Sequence, residues 1–200
     1  MISNTITAIR IVLLIPLYYF LSRGPADAGW LALATFLLAG LTDVIDGRVA
    51  RRLGEVSAFG AMLDLIGDQL LTLTTLLGLM ASGAVAGPLI IAGLVLIART
   101  VIVASLNEAL PGRLNIKVSP MEKAKIAFNF LGFGLLMAPD IGLAIPAFGP
   151  GFGQHALGAA CLWLSAALTV FNLSDYALRA HRAFAEDRRK SAEQAPTSSR

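Results

Sequence analysis

With one cysteine and two histidines in 200 residues, the chain has little of what soft metal sites and disulfide scaffolds need. Cys161 stands alone, so no internal disulfide can form and the redox compartment is left unmarked. His155 and His181 lie far from each other and read as interfacial or surface residues, not as ligands. Charge is also scarce: 14% of residues are charged against 56% hydrophobic, with a mean hydropathy of +0.72. That balance excludes an ordinary soluble domain, and the length leaves no room for two large ones. We read one all-α integral membrane domain over residues 1–178 and a basic, partly disordered tail over residues 179–200. No internal repeat is evident.

Six apolar stretches fill the first 178 residues. The first covers residues 1–22; no Lys or Arg precedes it and no small-x-small cleavage site follows, so it reads as a retained helix and not as a signal peptide. The second runs from Gly29 or Trp30 to about Arg52, after the turn-rich SRGPADAG. The third covers about residues 57–80 and the fourth residues 89–106, joined by the uncharged ASGAVAGP. A fifth ends near Met137, and a Gly- and Pro-rich loop leads to a sixth over about residues 156–177. The basic residues of alternate connections and of the tail fall on one side. The positive-inside rule therefore puts both termini in the cytoplasm. Arg10 and Arg99 stand inside apolar runs, where a cation is expensive, and should face the protein interior or a phosphate. For Arg10, close to a helix end, snorkelling to the headgroups is the alternative.

What the chain does have is four carboxylates in sequence otherwise fit for lipid. In a helix, Asp43, Asp46, Gly47 and Ala50 recur at i, i+3, i+4 and i+7, and Gly60, Asp64, Gly67 and Asp68 repeat the stripe. Gly54, in the charged RRLGE connection, is eleven residues after Asp43 and ten before Asp64. An antiparallel hairpin would thus bring the acids to equal depth, about 15 Å along each helix. Convergent acids repel, and each costs at least about 2.5 kcal/mol at the centre of a bilayer. Oxygen ligands with no His or Cys point to a hard divalent ion, Mg²⁺ or Mn²⁺, of the kind that arrives with substrate phosphates. The glycines leave room for a ligand against the backbone. One such acid alone could be a cap or a lysine's partner. Four on two stripes point instead to a metal site, to an ion relay in a transporter, or to a metal-binding structural role.

These residues resemble a known family. Asp43, Asp46, Gly47, Ala50, Arg51, Gly60, Asp64 and Asp68 reproduce the pattern D-x2-D-G-x2-A-R-x8-G-x3-D-x3-D of the CDP-alcohol phosphotransferases at every fixed position and gap. The resemblance implies a six-helix membrane fold, acting as a homodimer. In the implied reaction a hydroxyl attacks the β-phosphate of CDP-diacylglycerol and CMP is released. It implies that Asp43, Asp46, Asp64 and Asp68 hold two divalent ions and that Asp68 is also the general base. Asp43, Asp46, Gly47, Ala50, Arg51, Gly60 and Asp64 would line the cytidine diphosphate site.

The acceptor is less sharply marked. Arg99, Lys123 and Lys125, with Arg113, form a basic group suited to an anionic, phosphate-bearing alcohol. Lys123 and Lys125 would otherwise be positive-inside anchors. Asn4, Thr7, Arg10 and Pro16 are similar to the opening of the phosphatidylglycerophosphate and cardiolipin synthase branches. IARTVIVASLNEAL, VSPMEKAKIAF and LTVFNLSDY look like later segments of the former. Glycerol 3-phosphate is therefore the acceptor expected, with phosphatidylglycerol, inositol phosphate or serine as alternatives. Three departures stand out. Thr100 replaces a Glu, Glu122 replaces a Gly, and DLIGDQ replaces D-P-x-A-D-K. Glu108 and Glu122 are in a position to partner the basic residues and lower the charge of the pocket.

Overall fold

The computed structural model describes the backbone of residues 2–53, 58–109, 120–143 and 153–194. Its described side chains are those of residues 8–42, 60, 62, 63, 65–106, 121–143 and 153–174. Among the described residues six helices follow one another: α1 (Ile2–Ser22), α2 (Pro25–Leu53), α3 (Ala58–Ala81), α4 (Leu89–Ala109), α5 (Pro120–Met137) and α6 (Gln154–Gln194). There is no β-strand among the described residues, as the run of apolar stretches predicts.

Helix ends follow local chemistry. α1 stops at a two-residue turn in which Gly24, at φ 90, takes the left-handed conformation open to glycine. Pro25 then opens α2 with the φ a first helical turn needs, and the Ala28 amide donates to the Gly24 carbonyl (3.2 Å). The turn is tighter than the loop expected at SRGPADAG, because PADAG already belongs to α2. α6 runs as one helix of 41 residues, through the position where the sixth apolar stretch ends and on to Gln194.

Among the described residues, three stretches are long and apolar enough to cross a membrane: Pro25–Thr42, Leu89–Leu106 and Gln154–Ser174. Shorter apolar stretches, Ala8–Ser22 and Leu65–Ala81, lie in α1 and α3. α5 falls short because Glu122, Lys123 and Lys125 crowd its first turns. The outer surface agrees with a lipid environment. Ile9, Val12, Ile15 and Tyr19 of α1, Ile91, Leu94 and Val101 of α4, and Trp163, Val170 and Phe171 of α6 are all exposed. An apolar surface this extensive is untenable in water and natural in lipid.

Between lipid-solvated helices, burial of oil supplies little attraction; close packing must hold them together. Gly78 lets α3 approach α1 so closely that a Cβ there would sit 2.5 Å from Cβ of Leu21. α5 and α6 meet at Gly132 and Gly158, where the Gly158 carbonyl lies 3.2 Å from where a Gly132 Cβ would be. Leu17, Leu21, Phe36, Leu76, Leu79, Phe133, Leu136 and Leu162 fill the core, and Phe36 stacks at 4.4 Å against Phe130 across α2 and α5. Gln154 closes the end of α5: its Nε2 donates to the carbonyls of Leu135, Ala138 and Pro139, each at 3.1 Å, and its Oε1 accepts from the Ile141 amide at 3.2 Å. The core thus gathers toward the end of the bundle that carries the turns at residues 23–24 and 82–88. The buried charge lies toward the other.

Candidate active site

α2 and α3 are continuous helices through residues 43–50 and 60–68, so each stripe read from the spacing does fall on one helix face. α1 packs against both helices and supplies the first functional contact. Arg10, wholly buried, donates from Nη1 to Oδ1 of Asp68 at 3.3 Å. Asp68 is held by Arg10 while 57% of its side chain remains exposed. Arg10 therefore faces inward, as the cost of a cation in lipid requires, and it does not snorkel. Its partner is an acid 58 positions along the chain, which no local pattern signals.

Gly60 sits partly exposed in the first turns of α3. The side chains of Asp43, Asp46, Ala50, Arg51 and Asp64, together with Gly47, lie outside those described. Among the described residues no group of three or more His, Cys, Asp or Glu gathers at a point. The fit of a cation to this face rests on donor chemistry: an open carboxylate at Asp68, with oxygen donors alone in its stripe, suits Mg²⁺ or Mn²⁺ rather than a softer metal.

A second cluster joins α4, α5 and α6. Arg99 Nη2 donates to Oε1 of Glu122 at 2.5 Å and Lys125 Nζ donates to the same oxygen at 2.6 Å. Asn172 Nδ2 donates to the other oxygen, Oε2, at 2.9 Å. Glu122 is 14% exposed and Lys125 is buried, so this is a network shielded from bulk water. Nε of Arg99 and Oδ1 of Asn129 are buried with no hydrogen-bond partner among the described residues. Glu122, Lys125 and Asn129 recur at i, i+3 and i+7, one face of α5. Ser165 fixes that face by donating to the Lys125 carbonyl at 3.3 Å, and Ser165, Thr169 and Asn172 form the matching stripe of α6.

The structure thus brings Arg99 and Lys125 together, as the sequence suggests. Lys123 is exposed, and no hydrogen bond or ion pair among the described residues joins it to the cluster. Arg113 lies outside the described residues, and so does the side chain of Glu108. Glu122 does pair the basic residues, as its charge predicts. Thr100 turns its hydroxyl onto the Leu96 carbonyl of its own helix at 3.0 Å and adds no charge. Asn172 is the residue that sequence reasoning passes over; the signal for it is an amide set within an apolar span.

The family model of the CDP-alcohol phosphatidyltransferases matches residues 1–171. A CDP-diacylglycerol–glycerol-3-phosphate 3-phosphatidyltransferase of Cereibacter sphaeroides is 31% identical, over 88% of this chain and 93% of its own. The enzyme of that name from Rickettsia felis is 28% identical over 86% of this chain and 90% of its own. A cardiolipin synthase (CMP-forming) of Streptomyces coelicolor is 45% identical over 56 residues, 28% of this chain and 26% of its own.

Proposed function

The chain belongs to the CDP-alcohol phosphatidyltransferase family, and from that premise we propose that it moves a phosphatidyl group from CDP-diacylglycerol to glycerol 3-phosphate, releasing CMP. The observation that carries the acceptor is the convergence of Arg99 and Lys125, from two helices, on one point. Paired cations held away from water suit a phosphate-bearing alcohol. The names of the near full-length relatives support the same acceptor.

In this reading the acceptor oxygen bonds to the β-phosphorus of CDP-diacylglycerol. The bond from that phosphorus to the bridging oxygen breaks, and CMP leaves with the electron pair. The hydroxyl proton passes to the exposed carboxylate of Asp68. Arg10, on the other side of that carboxylate, fixes its direction. Asp43, Asp46, Asp64 and Asp68 would hold two divalent ions, Mg²⁺ or Mn²⁺, which when bound neutralise charge building on the phosphate. Gly47, Ala50, Arg51 and Gly60 border the cytidine diphosphate, while Lys123 and Arg113 add positive field near the acceptor. The enzyme works as a homodimer in a bacterial cell membrane, with both termini and the active site facing the cytoplasm, where the basic connections lie.

Cardiolipin synthesis is the second reading, supported by the 56-residue match to the Streptomyces enzyme. The test is CMP release by purified protein with CDP-diacylglycerol and Mg²⁺, given glycerol 3-phosphate, phosphatidylglycerol, inositol phosphate, serine or no acceptor. Release that needs glycerol 3-phosphate upholds the proposal. Release that needs phosphatidylglycerol transfers the assignment to cardiolipin synthesis, and folded protein inert with all of them ends it.

A further inference from the structure

The cluster at the start of α5 has the composition of an anion seat in which the anion is already present and belongs to the protein. Arg99, Lys125 and Asn172 come from three helices and aim their donors at one carboxylate, that of Glu122. Among the described residues, the two cations and the one acid of the cluster sum to a net charge of +1. A phosphate oxygen and a carboxylate oxygen make the same demand on these groups: charge-assisted N–H donors at about 2.7–2.9 Å. They cannot both be satisfied by the same protons.

We infer that Glu122 is a specificity-determining residue that occupies the acceptor's phosphate seat and must be displaced from Arg99, Lys125 and Asn172 when a phosphate-bearing acceptor binds. The inference rests on reading Arg99 and Lys125 as that seat. Glu122 is well placed to be the group that moves. It lies in the first turn of α5, where the helix dipole favours a negative side chain whichever way it points. It also retains a path to water, being 14% exposed. The cations stay behind: Lys125 is pinned by its own buried backbone, to which Ser165 bonds. Arg99 has a second buried donor, Nε, with no hydrogen-bond partner among the described residues, suited to a ligand with more oxygens than a carboxylate. A phosphate brings three or four oxygens where Glu122 brings two.

The inference separates discrimination from catalysis. Competition by Glu122 raises the concentration of acceptor needed without touching the donor lipid. Its removal therefore tightens acceptor binding, where removal of a residue that merely props up the site would loosen it.

The test is Glu122→Gln, which keeps the shape and removes the charge. In full-length protein in detergent, the acceptor KM falls by about tenfold or more while that for CDP-diacylglycerol holds. Glycerol 3-phosphate and phosphatidylglycerol are compared as acceptors, to tell a free phosphomonoester from a lipid headgroup. A rise in acceptor KM, or none, overturns the inference. A second readout needs no turnover: inorganic phosphate at millimolar concentration raises the melting temperature of E122Q and leaves the unsubstituted protein nearly unmoved, and Arg99→Gln added to E122Q abolishes the shift. Absence of a phosphate-dependent shift in E122Q overturns the inference even if no acceptor supports CMP release, so its failure is distinct from failure of the assigned reaction. Should E122Q prove too unstable to isolate, because two buried cations have lost their counter-charge, extraction in phosphate buffer recovers it. Failure of phosphate to do so counts against the inference equally.

Discussion

Arg10 and Asp68 stand 58 residues apart in sequence and 3.3 Å apart in space, a buried guanidinium in α1 against an open carboxylate in α3. With Asp68 in the proposed role, α1 becomes part of the reaction centre and not only a membrane anchor. A guanidinium presents a rigid fork, whereas an ammonium on a flexible stem does not, so the two are not interchangeable at such a contact. Arg10→Lys should fold normally and lose transfer by about 10–100-fold, mostly in kcat. Single-turnover CMP release is the measurement; activity within twofold of the parent would reduce Arg10 to a packing role.

Asp68 is assigned the proton. Asp68→Asn keeps the shape and the hydrogen-bonding reach of the side chain but cannot accept a proton, so the rate should fall by about 10²–10⁴-fold. Binding of CDP-diacylglycerol and the melting temperature should change little. Retained turnover would show that the proton leaves by another route.

The two lysines of α5 should part company. Lys125 is buried against Glu122, whereas Lys123 is exposed and outside the network. Lys125→Met should raise the KM for the acceptor by about tenfold or more, with that for CDP-diacylglycerol unchanged. Lys123→Met should shift it by less than threefold. Equal effects would mean that Lys123 reaches the acceptor despite lying apart from the cluster.

Four acids on two helical stripes are a charge that lipid does not tolerate unless it is compensated. Treatment with EDTA should stop CMP release, and Mg²⁺ or Mn²⁺ added back should restore it. Undiminished turnover after thorough chelation would leave the stripes without the role assigned to them.

Much of this arrangement is legible in the linear sequence. Apolar length alone marks six helices, with every end but the last of α6 within a few residues, since 1.5 Å per residue and the thickness of a bilayer leave little freedom. The acids are legible too, because a helix converts spacing directly into facing. What hydropathy does not encode is which helix lies beside which. The partnership of Arg10 with Asp68, and of Glu122 with Arg99, Lys125 and Asn172, joins residues 23 to 58 positions apart in three of its contacts, through lateral packing that small residues such as Gly78 and Gly158 permit. Glu122 is visible in sequence as a misplaced acid and Thr100 as a missing one. Only the fold shows that the charge absent from α4 is supplied to Arg99 by α5. Apolar length does not give the end of α6: the charged tail reads as helical at first, and the helix continues to Gln194.

Stability has its own marker in Gln154, a buried amide whose two N–H groups are shared among three carbonyls at the end of α5. Gln154→Leu removes those donors and leaves the carbonyls of Leu135, Ala138 and Pro139 without them in an apolar setting, at about 1–3 kcal/mol in total or more. A melting temperature several degrees lower in detergent, with the KM values unchanged, is the expected result. A variant as stable as its parent would mean that water replaces the amide.

At 41 residues, α6 measures about 60 Å, twice the hydrocarbon thickness of a bilayer. The apolar span of α6 among the described residues is Gln154–Ser174, and the sequence of the remaining five turns or so is rich in charge, so this part of the helix forms a spar beyond the hydrocarbon. A reporter group fixed near Gln194 would therefore swing with the transmembrane part of the same helix, and so with Asn172, registering tilts of that helix as a displacement magnified by the length of the lever.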